Sequence, residues 1–524
     1  MAWIYPAPGK SGSLLYRLSD CSYSFPWFNV PCFRSFQPSS TAGEISQPPS
    51  VLRAFLVPAT DEIAKSYSLL NLFSLRCCPP NPKFGSLRHL DLSGNEKRDF
   101  PEQISTWLQN FTALQMLDLS GCTLSGNIFP IWNLPLRNLS LDSNHLSGDA
   151  SFIFCNQSLL SWLSLMDNNF GGMILVNISL PSLTHLDLSF NNFGGLVLES
   201  IARMVKLQHL ILGYNNFSGQ IPILLSQLSS LSFLDLGLNQ FSGGIPSNLG
   251  DLSNLQYLDL SKNQLNGSIP SRFTPLSRLE YLDLSFNMFT SAELELFENL
   301  TRLQFLIMSN NKLTLNFSSI WNPSFWLQGA LPLLLSAVEY LDLSDNFFSG
   351  SILPLVGLNL ITLILFGNNL SGAFTSSICS PYMDILDLSS NKLSGSLPPS
   401  LANCSSLGVL NITNNDFDGE IPQDIGNITS LGVLHMNDNK QRGSLPSSLR
   451  YYISLKILDL GNNGIEGHIP NWIKYLQQLR IINLSFNKLR GMIPSEIPQL
   501  QNPQILDISK NSLTGELPTN FSGF

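Results

Sequence analysis

The chain has 524 residues, of which 44% are hydrophobic and only 12% are charged, with a formal net charge of −9. No long basic run is present, which excludes the phosphate-tracking surface of a nucleic-acid-binding protein. The most apolar stretch, residues 352–366, is shorter than the roughly 20 residues that a transmembrane helix needs. We therefore predict neither a nucleic-acid partner nor a membrane span in this chain.

The first 80 residues carry no repeat and are rich in serine, proline and aromatic residues. They show no helical or strand period, so we predict a poorly ordered segment. Pro6 and Pro8 interrupt the N-terminus and no apolar stretch follows, so no secretory signal peptide is predicted. No C-x-x-C pair occurs in the chain, which gives no support to a zinc or thioredoxin-like site. No cofactor and no metal are expected.

From residue 81 to residue 524 the pattern L-x-x-L-x-L-x-x-N recurs 18 times, mostly in steps of 22 to 24 residues. We use the first leucine (or isoleucine) of each L-x-L as a marker, from Leu90 to Leu506. A period in this range predicts a stacked repeat array, in which each L-x-L forms a short strand of one parallel sheet. The predicted fold is an α/β solenoid with a parallel concave β-sheet. The step from Leu306 to Leu341 is longer and holds an irregular segment, 316–336, which is either a loop or a decayed repeat.

Two features follow each marker. Asparagine stands five residues later in 17 of the 18 copies, where its amide can pair buried backbone groups, and Cys122 is the exception. Further on, Gly-x-Ile-Pro segments such as Gly219-Gln220-Ile221-Pro222 and Gly467-His468-Ile469-Pro470 recur. Glycine permits a turn that is closed to other residues, and proline fixes φ where the chain leaves it.

The combined motif resembles the plant-specific leucine-rich repeat of receptor-like proteins and receptor-like kinases, over about residues 85–520. The resemblance implies a leucine-rich-repeat horseshoe without catalysis, displayed at the plasma membrane or outside the cell. It further implies binding of an extracellular peptide, glycan or protein ligand, and signalling in defence or development through a co-receptor kinase. Family members begin with a cysteine-paired cap, whereas Pro79 and Pro80 follow Cys77-Cys78 here, and the chain stops at Phe524. We expect a truncated gene product or a genuine variant.

Catalysis has no support in the sequence, because no nucleophile–base set, P-loop or kinase motif can be assembled. Ten markers are followed by aspartate, for example Asp235, Asp259, Asp283 and Asp342. Such a column of carboxylates could perturb its own pKa values or hold a cation. L-D-L-S is, however, the consensus strand of the repeat, which favours solvated aspartates.

The residue before each marker should point outward on the concave face, and its character changes along the chain. In repeats 4–11 it is aromatic or histidine, which is typical of interfaces, although tyrosine before L-D-L-S is itself common in this repeat. From repeat 12 it is almost wholly β-branched: Thr362, Ile385, Val409, Val433, Ile457, Ile481 and Ile505. The ligand-binding candidates are Trp162, His185, His209, Phe233, Asp235, Tyr257, Asp259, Tyr281, Asp283, Phe305 and Tyr340. His185 and His209 could in addition sense acidity or bind a metal.

N-x-[ST] sequons give an independent signal of a secretory protein. Asn138, Asn411 and Asn483 fall on predicted concave strands, whereas no sequon falls on the concave strands between Trp162 and Asp345. This sequon-free stretch coincides with the aromatic column, so repeats 4–11 are the predicted ligand face. The candidate glycosylation sites are Asn110, Asn138, Asn156, Asn177, Asn216, Asn266, Asn299, Asn316, Asn369, Asn403, Asn411, Asn427, Asn483 and Asn520.

Two alternatives remain open at this level. One is a secreted inhibitor of enzymes such as polygalacturonases, although such proteins have about half this number of repeats. The other is an intracellular leucine-rich-repeat scaffold, which would carry no glycans and have reduced cysteines. Cys379 and Cys404 occupy similar places in neighbouring repeats and could pair, but their interpretation as small buried apolar residues is favoured.

Overall fold

The computed structural model describes residues 86–95, 108, 111–127, 134–150, 153–154, 157–173, 180–197, 199–273, 275–292, 300–314, 337–352, 359–374 and 378–518. The predicted non-repeat segment, 1–80, and the irregular segment, 316–336, lie outside these residues. Within the described part of the chain, no helix is long and apolar enough to cross a membrane.

An 18-stranded parallel sheet, here called the concave sheet, runs through all the repeats. Every marker is the middle residue of a three-residue strand, and neighbouring markers lie opposite one another, as Leu234 does to Leu258. The predicted solenoid and its strand count are confirmed. The strands are His89–Asp91, Met116–Asp118, Asn138–Ser140, Trp162–Ser164, His185–Asp187, His209–Ile211, Phe233–Asp235, Tyr257–Asp259, Tyr281–Asp283, Phe305–Ile307, Tyr340–Asp342, Thr362–Ile364, Ile385–Asp387, Val409–Asn411, Val433–His435, Ile457–Asp459, Ile481–Asn483 and Ile505–Asp507.

A second sheet follows the Asn of each repeat and is divided into pieces of eight, four and four strands. Its glycines adopt the predicted left-handed turn, for example Gly219 at φ +80°. The eight-stranded piece comprises Ser125–Asn127, His145–Asp149, Asn169–Met173, Asn192–Leu196, Asn216–Gly219, Gln240–Gly243, Gln264–Ile269 and Met288–Ala292. The four-stranded pieces are Ser349–Gly350, Asn369–Ala373, Lys392–Ser396 and Asp416–Asp418, and then Arg442–Gly443, Gly464–Gly467, Lys488–Gly491 and Ser512–Leu513.

Nine short 3₁₀ helices occur in the described part of the chain, in about half of the 18 repeats. A proline stands directly before most of them, as Pro222 does at φ −63°. Each helix turns an apolar side chain into the core, such as Leu225 or Phe273. The helices are Glu199–Arg203, Ile223–Gln227, Ser247–Asp251, Ser271–Phe273, Pro399–Asn403, Gln423–Asn427, Ser447–Tyr451, Asn471–Tyr475 and Ile497–Gln499.

The asparagine ladder joins successive repeats as predicted. Asn168 is typical: its Nδ2 donates to the Leu141 carbonyl at 2.8 Å, and its Oδ1 accepts from the Leu146 N–H at 3.0 Å. Cys122 takes the same position, is buried, and places its Sγ 3.0 Å from the Leu92 carbonyl. Each ladder residue therefore satisfies backbone groups that stacking would otherwise bury unpaired.

Cys379 and Cys404 form a disulfide with their Cα atoms 4.9 Å apart. The favoured interpretation of these residues as unpaired apolar side chains was wrong. They are 25 residues apart, which is close to one repeat length, so stacking brings equivalent positions of neighbouring repeats face to face. The disulfide therefore clamps one repeat to the next.

Candidate functional site

Eight ring side chains form a continuous row across the concave sheet, one from each of repeats 4–11. They lie in register on neighbouring strands, which parallel pairing places about 4.8 Å apart. Consecutive ring centroids are 3.5–6.1 Å apart. We call this set the aromatic row: Trp162, His185, His209, Phe233, Tyr257, Tyr281, Phe305 and Tyr340.

The aromatic row is less exposed than its sequence position suggests. His185 is only 4% exposed and Tyr281 only 9%, while the other six rings are half-buried. Stacking causes this burial, because Phe233 and Tyr257 lie nearly parallel at 4.0 Å and Tyr257 and Tyr281 at 4.3 Å. The rings therefore form one apolar strip in which each ring is partly covered by its neighbours.

The β-branched residues of repeats 12–18 continue the same register beyond Tyr340, beginning with its pairing to Thr362. Val409 and Val433 face each other across neighbouring strands and are half-buried. Thr362 and Ile457 are buried, whereas Ile505 at the last strand is exposed. The concave sheet therefore has an aromatic half and an aliphatic half with the same backbone geometry.

Both histidines of the aromatic row have lowered pKa values. Burial, and then the neighbouring His209, lower the pKa of His185 to about 3, and burial also lowers the pKa of His209. The His185 Nδ1 is buried without a hydrogen-bond partner. A His185 ring with so low a pKa stays neutral in mildly acidic surroundings and gives the acid-sensing hypothesis no support. Nor do the described residues include any cluster of three His, Cys, Asp or Glu side chains that could hold a metal ion.

A column of aspartates runs beside the aromatic row, two residues further along each strand. The expectation that these carboxylates are solvated was wrong for several of them, since Asp187, Asp283 and Asp342 are at most 9% exposed. Each accepts the N–H and the hydroxyl of the serine two residues on, as Asp283 does from Ser285 at 2.8 and 2.6 Å. We call the aspartates on the strands of repeats 4–11 the carboxylate column: Asp187, Asp235, Asp259, Asp283 and Asp342.

Burial makes the carboxylate column easy to protonate. Desolvation raises the pKa of Asp187 to about 6, and desolvation together with the charge of Asp259 raises that of Asp283 to about 7. The serine hydrogen bonds lower both values but do not offset burial. In acidic surroundings these groups therefore become neutral hydrogen-bond donors as well as acceptors.

Asp235 differs from the rest of the column because glycines replace the serines around it. It accepts the Gly237 N–H at 2.8 Å, and Gly237 has no hydroxyl to add a second bond. A Cβ placed on Gly213 in the neighbouring repeat would come within 2.7 Å of its Oδ2. Burial and the charge of Asp259 hold the pKa of Asp235 well above its usual range. The Asp235 carboxylate therefore fills the space that a side chain at position 213 would need.

Sequence reasoning did not consider a second aromatic feature. Four residues after the marker, the backbone turns through the left-handed region in nearly every described repeat, and Phe190 and Tyr214 occupy this position at φ +53° and +57°. Their rings stack at 4.0 Å and line an open groove of about 460 Å³ with Asn192, Asn216 and Leu238. The sequence signal that could have revealed this groove is an aromatic residue four positions after the marker in two consecutive repeats.

The described sequons fall in three settings. Asn138, Asn411 and Asn483 lie on the concave sheet as predicted, and Asn411 donates its Nδ2 to Asp387 at 3.0 Å. No sequon lies on the described concave strands of repeats 4–11. The second sheet carries Asn216, Asn266 and Asn369, and the ends of 3₁₀ helices carry Asn403 and Asn427. The candidates outside the described residues are Asn110, Asn156, Asn177, Asn299, Asn316 and Asn520.

Family models described as leucine-rich repeat match two sets of segments, which together cover more than half of the chain. The first set is 181–241, 253–313 and 453–513, and the second is 113–134, 337–358, 383–404 and 406–428. The chain is also 44% identical to Receptor-like protein 1 of Arabidopsis thaliana over 75 residues, which are 14% of this chain and 7% of that protein.

Solved plant receptors have the same fold. The PEPR1–AtPEP1 complex matches with a TM-score of 0.72 and 30% identity, over 81% of this chain and 59% of that one. The plant peptide hormone receptor RGFR1 in complex with RGF2 matches with a TM-score of 0.69 and 28% identity, over 82% of this chain and 76% of that one. A third match is the Arabidopsis receptor kinase HAESA in complex with the peptide hormone IDA and the co-receptor SERK1. Its TM-score is 0.59 and its identity 27%, over 82% of this chain and 80% of that one.

Proposed function

Because this chain belongs to the leucine-rich-repeat family and has the fold of plant receptor ectodomains, we propose that it is the recognition module of a plant receptor-like protein. This is a non-catalytic, ligand-binding fold. The ligand face we propose is the aromatic half of the concave sheet, repeats 4–11. The observation that carries this proposal is the unbroken aromatic row with the carboxylate column beside it.

The chemistry of this face suits an extended peptide. Partly covered rings offer apolar area with tyrosine hydroxyls at hand, and aromatic anchors of this kind dominate binding energy at interfaces. The half-buried carboxylates of Asp235 and Asp259 suit a basic or hydroxyl group of the ligand. The similar structures of PEPR1, RGFR1 and HAESA are complexes with peptides, which supports a peptide over a glycan here.

We further propose that signalling, in defence or development, passes through a partner kinase. The HAESA structure contains a co-receptor, SERK1, beside the peptide hormone. A comparable co-receptor kinase is the partner that we propose for this chain.

An extracellular or plasma-membrane location belongs to the same proposal. The Cys379–Cys404 disulfide supports it, because such bonds persist in oxidising compartments and are rare in the cytosol. An intracellular scaffold would keep both thiols reduced.

The proposal is tested by loading immobilised protein with the peptide fraction of apoplastic wash fluid and identifying the eluted peptides by mass spectrometry. Replacing Tyr257 and Tyr281 together with alanine should abolish retention. Since Tyr281 is buried, the single variant Tyr257→Ala is added and should weaken retention without loss of fold. Val433→Ala is the matched control, at the same strand position in the aliphatic half. Equal peptide retention by all variants would overturn the proposal.

A further inference from the structure

The groove beside Phe190 and Tyr214 lies on the edge of the solenoid, between the concave and second sheets, and is separate from the aromatic row. Phe190 and Tyr214 are the one pair of consecutive left-handed positions in the described repeats that are both aromatic. The left-handed turn recurs along the solenoid, but only here does it bring two rings of neighbouring repeats together among the described residues. The groove is open to solvent and has a volume of about 460 Å³.

Asn216 begins the strand that forms one wall of this groove and opens the sequon Asn216-Phe217-Ser218. Its side chain is exposed, whereas Phe217 is fully buried and anchors the backbone. On the neighbouring strand the paired residue is Gly194, which has no side chain to cover it. Gln240 Nε2 lies 3.5 Å from Asn216 Oδ1, an atom that stays available when a sugar is attached at Nδ2.

We propose that Asn216 carries an N-linked glycan whose first N-acetylglucosamine ring packs on the stacked rings of Phe190 and Tyr214. The C–H face of a pyranose ring is apolar and matches an aromatic surface. The exposed amides of Asn169 and Asn192, which also line the groove, supply hydrogen bonds for the sugar hydroxyls.

The modification follows ordinary secretory chemistry. The donor is an oligosaccharide linked through pyrophosphate to a lipid, and a transferase moves it to the asparagine. The bond between sugar C1 and the pyrophosphate oxygen breaks, and its electron pair stays with the pyrophosphate. A new bond forms between C1 and Asn216 Nδ2, which loses one proton. The inference requires the secretory route of the proposed function but does not depend on the ligand face.

The chain contains a matched control for this site. Asn369-Leu370-Ser371 stands in the same position of a later repeat, with Asn369 exposed, Leu370 buried and the sequon at the start of a second-sheet strand. Its left-handed neighbours, however, are Asp345 and Gly367 instead of two aromatic residues. A sugar on Asn369 therefore has no ring to pack on.

The first test is occupancy in the full chain expressed through a eukaryotic secretory pathway. Enzymatic release of the glycan in ¹⁸O-water converts each modified asparagine into labelled aspartate, which peptide mass spectrometry detects. We expect the label at residue 216. An unlabelled residue 216 in the mature protein would overturn the proposal.

The second test asks whether the glycan packs on the two rings or is only attached to Asn216. It measures amide hydrogen exchange of residues 214–219. Asn216→Gln should speed exchange by about tenfold, as expected for loss of one ring contact, whereas Asn369→Gln should not change exchange in its own strand. Glutamine is native at this position as Gln240 and Gln264, so both variants fold. In the Tyr214→Gly background, which copies Gly367, the effect of Asn216→Gln should vanish. Equal effects of Asn216→Gln in both backgrounds would contradict the proposed packing.

Discussion

The imidazole of His185 lies flat on the indole of Trp162, with the ring centroids 3.5 Å apart and the planes within 2° of each other. This contact lies at the first residue of the aromatic row and explains why the row carries no charge. Stacking removes water from His185, which lowers the pKa of its imidazole and keeps the ring neutral. The aromatic half of the concave sheet is therefore uncharged along its ring side, and its charge resides in the carboxylate column.

The carboxylate column should make the protein more stable at pH 5 than at pH 7.5. In the folded chain the pKa values of Asp187 and Asp283 are about 6 and 7, against about 3.9 when unfolded. The two aspartates contribute fully to stability when the pH is below their pKa in the unfolded chain. This contribution is lost as the pH rises through their pKa values in the folded chain. His185 has the opposite effect on stability. Its pKa is about 3 in the folded chain and about 6.5 in the unfolded chain, so its contribution to stability is lost as the pH falls.

Carboxylates with raised pKa values outnumber the two histidines with lowered ones among the described residues. The free energy of unfolding should therefore be higher at pH 5 by on the order of 2–4 kcal/mol, measured by denaturant titration. Asp283→Asn should reduce this difference, and asparagine is native at this position as Asn411 and Asn483. Asp507→Asn is the control, because hydrogen bonds from Ser509 already lower the pKa of Asp507. A protein that is more stable at pH 7.5 would contradict this account.

The Cys379–Cys404 disulfide should be present in protein from its native tissue. Closing a loop of 25 residues stabilises a chain by about 3–4 kcal/mol. Replacing both cysteines with serine should lower the free energy of unfolding by that amount, read from chemical denaturation. Alkylation under denaturing conditions without reductant gives the direct check: both cysteines should stay unmodified, and modification of either shows that the pair is reduced.

Gln441 is a buried polar residue that should destabilise the core. It is fully buried, and neither its Nε2 nor its Oε1 has a hydrogen-bond partner in the protein. The equivalent residues of the neighbouring repeats are Phe417 and Ile465, both buried. Gln441→Leu should raise the free energy of unfolding by about 1–3 kcal/mol, because an unpaired polar group leaves the interior. The reverse change, Phe417→Gln, should lower it. Loss of stability in Gln441→Leu would show that a buried water satisfies the amide.

The parts of the fold that recur were predictable, and the parts that depend on neighbours were not. Leu234 and Asn168 face the core because strand alternation and backbone pairing dictate it in every repeat. The burial of Asp283 was missed because it depends on what lies on the adjacent strands. The pairing of Cys379 with Cys404 likewise needed the relative position of two turns, which the repeat length suggests but does not fix.

The candidate site was predicted as a set of positions but not as a surface. Parallel pairing put Tyr257 beside Tyr281, as the sequence register required, yet the stacking that buries Tyr281 follows from side-chain packing between repeats. Phe190 and Tyr214 were missed because the residue four positions after each marker varies in type along the chain and shows no conserved pattern of its own. Their significance depends on the left-handed turn that brings both rings to one groove.

The most direct test of the central claim is side-chain footprinting with a photogenerated carbene, with and without the peptide fraction of apoplastic wash fluid. The proposed ligand face predicts that labelling falls at Phe233 and Tyr257 when peptides are present and stays constant at Val409 and Val433. Tyr257→Ala should abolish the protection of Phe233. Protection confined to the aliphatic half, between Thr362 and Ile505, would contradict the assignment of repeats 4–11 as the ligand face.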